Sequence, residues 1–417
     1  MLGTKVNPGY KQTEVGVIPE DWDIIPLSSC ALGTMQNGLF FKPSLKGTGV
    51  KLINVGDLYQ RAPINSELLE LFGANSNECE RFGVRDGDIF FTRSSIVPSG
   101  IAHCNIFRSN TSECVVFDSH VIRLRPDVNK VVSAYLFRAC VGEIARSFLV
   151  SHAKTGTMTT IDQKVLGKCP VLLPHTKLEQ EAIAEALSDA DTLIESLEKL
   201  IFKKRLIKQA AMQELLRPKK KWKEEKLGNL GVFLKGSGIK KDEAISGAIP
   251  CVRYGEIYTH HNEWVRDFYS WISPNVARTA TLLKRGDILF AGSGETKEEI
   301  GKCVAFLSEI KAYAGGDVVI LRPQKADSAF LGYYLNSPSI TRQKASRGQG
   351  DAIVHIGSAS LSDIDILLPS AEEQAEIASI LSDLDSELSA LEQKLSKARQ
   401  IKQGMMQELL TGRIRLI

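Results

Sequence analysis

Lysine, arginine and amide side chains gather beside glycines at several places in this 417-residue chain. Lys42 and Lys46 follow Asn37-Gly38, and Arg93 precedes the segment Ser-Ser-Ile-Val-Pro-Ser-Gly. Lys154, Thr155 and Thr157 lie within Ser-His-Ala-Lys-Thr-Gly-Thr-Met-Thr-Thr. Further along come Lys235, Lys240 and Lys241, then Arg253, Lys297, and the group Arg342, Lys344, Arg347 and Gln349 around Gly348 and Gly350. These residue types suit a polyanion. Lys and Arg neutralise phosphates, Arg and Gln can pair with base edges, and glycine lets the main chain approach closely. Any one of them alone reads as a solvated surface charge. As a set at matching places in two halves of the chain, they favour DNA.

Catalytic patterns are missing by comparison. Asn7-Pro8-Gly9-Tyr10 is similar to the Asn-Pro-Pro-Tyr loop of adenine methyltransferases, but Gly replaces a Pro and no glycine loop for S-adenosylmethionine accompanies it. Gly292-x-Gly294 with Gly301-Lys302 lacks phosphate-loop spacing, and Cys303 stands where Ser or Thr is needed. His260-His261 belongs to no His pair spaced four apart, and the eight cysteines form no CxxC pair or zinc set. No metal, cofactor or catalytic residue is expected in the chain. Buried, reduced thiols are. A net charge of +3 is too small to mark the whole surface as basic, so any basic surface must be local. Hydrophobic content of 43% with 24% charged residues fits a soluble globular protein with room for two or three domains. No run approaches a membrane span, and residues 1–10 lack an apolar core, so a cytoplasmic protein without a signal peptide is expected.

The elements that would position the cations are duplicated. Residues 179–216 and 373–410 align without a gap at an offset of 194, with about half of the positions identical. So long a period marks a duplicated domain rather than a solenoid repeat. Apolar or small residues recur in heptad steps at Ile183, Leu187, Ala190, Ile194, Leu197 and Ile201. The second copy has Ile377, Leu381, Leu384, Leu388, Leu391, Leu395 and Ala398. Thr176-x-x-Glu179 and Ser370-x-x-Glu373 are capping boxes at the two starts. The spacing predicts two helices on the order of 57 Å long that pack on each other as an antiparallel coiled coil. Such a rod would act as a ruler, fixing the distance and rotation between two similar heads. An ordinary helical hairpin inside one domain is the alternative.

The heads share landmarks. Val55-Gly56-Asp57-Leu58-Tyr59 answers Tyr254-Gly255-Glu256-Ile257-Tyr258, Gly87-Asp88-Ile89-Phe90-Phe91 answers Gly286-Asp287-Ile288-Leu289-Phe290, and Leu124-Arg125-Pro126 answers Leu321-Arg322-Pro323. Strand-like runs fall at 50–55, 88–91 and 115–125, and a helical period at 134–149, a mixed α/β or α+β pattern. The loops between landmarks differ, as expected of one binding task turned to two targets. The partition is an extended N-terminal arm (1–21), a first head (22–174), a first long helix (175–217), a linker with a second head (218–369), a second long helix (370–411) and a tail (412–417). Residues 217–226, rich in Lys around Trp222, read as a solvated linker or as a phosphate-contacting stretch.

With the opening Gly-Tyr-Lys-Gln-Thr-Glu-Val-Gly-Val-Ile-Pro-Glu-Asp-Trp at 9–22, the twin Leu-Leu-Pro…Glu-Gln…Ile-Ala junctions, the Gly-Asp-Ile strands and the twin Gln-Glu-Leu-Leu helix ends, the chain resembles the specificity subunit of type I restriction–modification enzymes over nearly its whole length. That resemblance implies two target-recognition domains, each reading half of a split site in double-stranded DNA, with helices that set the unread gap. It also implies docking of two DNA methyltransferase (modification) subunits bearing S-adenosylmethionine, and of restriction/translocase subunits using ATP and Mg. A coiled-coil scaffold presenting two heads to proteins or other ligands is the competing class.

Overall fold

Both heptad segments form unbroken helices of 39 residues, Lys177–Leu215 and Ala371–Leu409, in the computed structural model, which describes residues 7–40, 42–109, 113–350 and 353–416. The chain divides into two units, Met1–Glu198 with Gln393–Ile417, and Lys199–Glu392. The division cuts both long helices near their middles. Each unit therefore holds one head, the first half of the helix leaving that head and the last half of the other helix. This differs from the expected partition, in which helices and heads were separate. The reason is packing. Ile183, Ala184 and Leu187 belong to the core of the first head, together with Leu409 and Leu410. Ile377, Ala378 and Leu381 belong to the core of the second, with Leu216 and Trp222.

Within each unit the two helix halves run antiparallel, and charges repeat the arrangement. In the first unit Lys402 Nζ meets Asp191 Oδ1 at 2.5 Å and Arg399 meets Glu198 at 2.7 Å. In the second, Lys208 meets Asp385 at 2.9 Å and Arg205 meets Glu392 at 2.6 Å. Each second-unit residue is the 194-residue counterpart of a residue in the first-unit pair. Ile183, Leu187, Ile194, Ile201, Ile377, Leu381, Leu388, Leu391 and Ala398 are buried as the heptads require, and Ala190, Leu197, Leu384 and Leu395 are half-buried.

The helix starts are more than caps. Thr176 Oγ1 and Ser370 Oγ accept the N–H of Glu179 and Glu373, each at 3.3 Å. The Glu carboxylates then turn elsewhere. Buried Glu179 accepts from Trp22 Nε1 at 3.2 Å and from Arg415, whose guanidinium also grips Asp21 through two 2.9 Å bonds. Glu373 takes Lys219 and Lys221 at 2.9 and 3.0 Å. The next residue ties helix to head. Gln180 accepts the Val132 N–H at 2.9 Å and donates to the Pro174 carbonyl at 3.0 Å, while Gln374 does the same with Asp327 and Pro369.

Residues 217–226 are thereby corrected. They are more ordered than a solvated linker, although Arg217, Lys219, Lys220, Lys221 and Lys223 are exposed. Trp222 is buried, and Lys223–Lys226 is a strand paired antiparallel with Asp365–Leu368, just as Asp23–Pro26 pairs with Pro170–Leu173. Lys226 is bound to Asp365 and Asp363. Three of the stretch's cations serve ion pairs, and Trp222 is the counterpart of Trp22. The N-terminal arm is also more ordered than expected. Tyr10–Thr13 and Gly16–Pro19 form a hairpin turned at Gly16, whose φ of 115° suits glycine, and Tyr10 Oη donates to the Gly412 carbonyl at 3.1 Å.

Each head is built on a four-stranded antiparallel sheet. In the first the order is Gln36–Asn37, Val121–Leu124, Ile89–Thr92, Cys104–Ile106, and in the second Gly231–Lys235, Val318–Pro323, Asp287–Ala291, Cys303–Phe306. A second, mixed sheet flanks each. The expected strand 115–125 is two strands in different sheets, because the turn at 118–120 intervenes: Val115–Phe117 runs parallel to 51–53, while Val121–Leu124 joins the main sheet. The helical run 134–149 is likewise two helices, Ser133–Val141 and Glu143–Ser151, broken at Gly142, where a Cβ would lie 3.1 Å from Leu410.

The shared Gly-Asp-Ile and Leu-Arg-Pro motifs meet in one clamp. Arg125 binds Asp88 through Nε and Nη2 at 2.8 and 2.7 Å, and Arg322 binds Asp287 through the same atoms at 2.8 and 2.8 Å. Each aspartate is fully buried and also accepts a main-chain N–H, from Arg85 or Lys284, at 2.8 Å. All eight cysteines are unpaired. Six are buried, while Cys79 and Cys114 are half-buried. Burial pushes the Cys30 thiol up to about 11 and the Cys104, Cys169 and Cys251 thiols to about 12.

Removing one partner of the clamp strands a buried charge. Asp287→Ala is expected to destabilise the second unit by about 3–5 kcal/mol, read by denaturant unfolding. An effect below about 1 kcal/mol, as at an exposed pair, would contradict this reading. Glu373 carries a second expectation. Hydrogen bonds from Lys219 and Lys221 hold its carboxyl below the usual glutamate range. A carboxyl lowered on folding stabilises the protein above its unfolded pKa, and that contribution fades as pH falls through the folded value. Glu373→Gln should therefore melt below the parent protein at pH 7, with the gap closing in acid.

Candidate nucleic-acid interface

In the first head, one end of the main sheet collects the candidate cations. There Asn37, Thr92 and Val121 end or begin their strands. Arg93 N donates to the His120 carbonyl at 3.0 Å, and the Arg93 carbonyl accepts from Ile161 N at 3.0 Å. Ser94–Ser95 pairs with Thr159–Thr160, and Lys154 exchanges two 2.9 Å main-chain bonds with Thr160. These links carry exposed Arg93, Lys154, Thr155 and Thr157 to one edge, with Lys42 on the loop leaving Asn37. Gln163 joins them, donating to Asn37 Oδ1 at 2.7 Å. Lys46 departs from the group. It starts the long strand of the flanking sheet and pairs with Glu70 at 2.9 Å.

The second head repeats the arrangement. Gly236 N donates to the Val318 carbonyl, and Gly292 N to the Asp317 carbonyl, both at 2.8 Å. Ser293–Gly294 pairs with Val354–His355, and Gln349 exchanges main-chain bonds with His355. Exposed Lys240, Lys241, Lys297 and Gln349 sit on these loops, and exposed Lys235 ends the strand Gly231–Lys235. Lys297 stands among exposed Glu295, Glu298 and Glu299, which weaken its local field.

Several expected contacts are structural instead. Lys344 is 1% exposed, and its Nζ donates to the Gly301 carbonyl at 2.7 Å, with burial pushing the ammonium pKa down. It cannot reach a ligand from there. In the first head Arg146 plays the same part, donating to the carbonyls of Ile101, Ala102 and Ser99. Arg347 is half-buried, with its guanidinium 3.2 Å from the carbonyls of both Gln343 and Asp363. Arg342 stays exposed, with its Nε 3.2 Å from the Pro338 carbonyl of the same helix. Arg253 Nε is held by Glu256 and Ser270, each at 3.2 Å. In sequence these residues looked like loop cations. The helix Pro338–Arg347, packed beside the strand Asp365–Leu368, turns Lys344 inward and half-buries Arg347, while leaving Arg342 exposed.

The glycines also serve a different purpose from the one expected. A Cβ on Gly38 would lie 1.9 Å from the Phe117 carbonyl oxygen, and one on Gly236 the same distance from that of Gly315. The close approach is to the head's own backbone. Residues that the sequence reading passed over lie at the same edges. His120 Nδ1 sits 2.8 Å from Asp118 Oδ1, and His355 Nδ1 2.9 Å from Ser293 Oγ. The available signal was their place just before, or opposite, a landmark strand.

What the edges offer is exposed cations, hydroxyls, amides and imidazoles on loops held by a rigid sheet. Among the described residues no cluster of His, Cys, Asp or Glu suits a metal ion. Also among them, no helix is long and apolar enough to cross a membrane. Lys240→Ala or Lys241→Ala should weaken binding to every duplex and lower the salt slope by about 1. Lys344→Ala should instead lower the melting temperature and leave the salt slope unchanged. A changed slope for Lys344→Ala would return that residue to the interface.

The family of type I restriction modification DNA specificity domains matches residues 219–400. The type I restriction enzyme MjaVIII specificity subunit of Methanocaldococcus jannaschii is 24% identical, covering 96% of this chain and 94% of its own length. Another protein of that archaeon, bearing the MjaX designation, is 24% identical over 98% of this chain and 97% of its own. The crystal structure of the type I restriction-modification S subunit from M. genitalium shares the fold with a TM-score of 0.59 at 16% identity, covering 97% of this chain and 98% of that one. A chain from a structure on complex assembly and conformational transition of the type I R-M system matches with a TM-score of 0.52 at 14% identity, covering 95% and 99%. These matches favour DNA recognition over a scaffold for other ligands. The chain is similar to the DNA specificity subunits of type I restriction–modification systems over nearly its whole length.

Proposed function

We propose that this chain addresses a split DNA target, each head reading one half, and that it supplies no catalytic group. The observation that carries this is the duplication itself. Two heads share a sheet, a clamp and a helix lock, yet display different polar side chains from equivalent loop edges. One scaffold with two edges fits two half-sites better than one extended site. The long helices set the unread gap. B-DNA presents equivalent major-groove faces about 34–36 Å apart per turn, so two heads engage together only in the correct phase.

The helices also offer a place for partners. On the second-unit half of the first long helix, Leu200, Phe202, Leu206 and Ile207 are all exposed. Such a run on a charged helix suits the apolar face of a protein. We assign it to one of two DNA methyltransferase subunits, which would bring S-adenosylmethionine. Restriction/translocase subunits, with ATP and Mg, would join that assembly in the cytoplasm.

Purification from the native host followed by mass spectrometry is expected to recover methyltransferase subunits. Recovery of the chain without them, and without salt-sensitive duplex binding, would refute the assignment. Inserting or deleting one helical turn in both long helices should lengthen or shorten the gap and leave the half-sites unchanged. Mapping methylated sites decides it, since altered half-sites around an unaltered gap would overturn the ruler.

A further inference from the structure

Two residues hold one place in the two heads. The strands Val121–Leu124 and Val318–Pro323 occupy the same position in their sheets, and each follows a tight turn: Asp118-Ser119-His120 in one, Gly315-Gly316-Asp317 in the other. In both, the carbonyl of the last turn residue accepts the N–H of the residue just past the neighbouring strand, Arg93 in the first head and Gly292 in the second. His120 and Asp317 are therefore structural counterparts, although no motif links them. Both side chains are exposed at the edge that carries the loop cations.

The first is held in a set orientation. The His120 side chain is 66% exposed, yet its partner Asp118 is only 7% exposed. Asp118 Oδ1 takes both the His120 main-chain N–H, at 2.7 Å, and ring Nδ1, at 2.8 Å. A carboxylate can only accept, so the proton sits on Nδ1 and Nε2 is left to meet a ligand. In the neutral ring Nε2 is an acceptor, suited to the exocyclic amine of adenine or cytosine. Asp317 is an acceptor by nature, suited to the amine of cytosine. A carboxylate at a DNA-facing edge is repelled by phosphates, so its use there lies in meeting a base.

We propose that His120 and Asp317 are specificity-determining positions, one per head, each accepting from an amino group in the major groove. The inference rests on the reading of the chain as a split-site DNA recogniser. The test expresses the chain with its methyltransferase subunits in a host free of adenine methylation, and maps methylated adenines by single-molecule sequencing. His120→Ala is expected to relax one base in one half-site, with discrimination there falling about tenfold. Asp317→Ala should do the same in the other half-site. An unchanged motif for either variant overturns the proposal for that head, and relaxation of the same half-site by both overturns it entirely. If alanine abolishes methylation, His120→Gln and Asp317→Asn decide the matter: a changed base supports the assignment, and an unchanged motif ends it. Failure of the parent protein to direct methylation to any split motif would instead refute the DNA reading beneath.

Discussion

The Glu-Gln pair at the start of each long helix, whose glutamine is buried in both, governs how each unit is put together. Gln180 and Gln374 fix the first helical turn to the head through one N–H and one carbonyl each. A helix is stiff, so constraining its first turn constrains where the remaining residues go. Glu179 and Glu373 then gather the chain that arrives from the end of a long helix, through Arg415 in one unit and Lys219 with Lys221 in the other. Replacing the pair with apolar residues would leave the N–H groups of Val132 and Asp327 without partners, a cost comparable to a lost hydrogen bond.

Much of this design was legible in the sequence because it rests on periodicity and repetition. The heptads located both helices to within a few residues, and the offset of 194 exposed the duplication. The Gly-Asp-Ile and Leu-Arg-Pro landmarks marked the sheet strands correctly. Their physical link was not visible, because an ion pair between residues some 35 positions apart leaves no local pattern. Trp222 was misjudged for a related reason. Its neighbours are lysines, and composition alone cannot show that Glu373, Asp363 and Asp365 wait in space to neutralise three of them.

The interface was legible only in outline. Cations in glycine-rich segments reached the loop edges wherever a loop follows a sheet strand, as with Arg93, Lys235 and Lys240. Where the segment proved helical, Lys344 is buried and Arg347 half-buried. Lys344 and Arg347 lie on Pro338–Arg347, one face of which packs on the head. Their side chains stabilise carbonyls at tight turns, work that a hydrated surface charge does not do. Burial, rather than residue type, separates the two classes, and burial depends on the tertiary fold.

Gly38 and Gly236 bear on how new recognition could be grafted. Both open a divergent loop, and both lie so near a neighbouring carbonyl that no side chain fits. A transplanted loop must therefore keep its first glycine and begin to vary only after it. The seam for any exchange of specificity, natural or engineered, is drawn by a single missing methyl group.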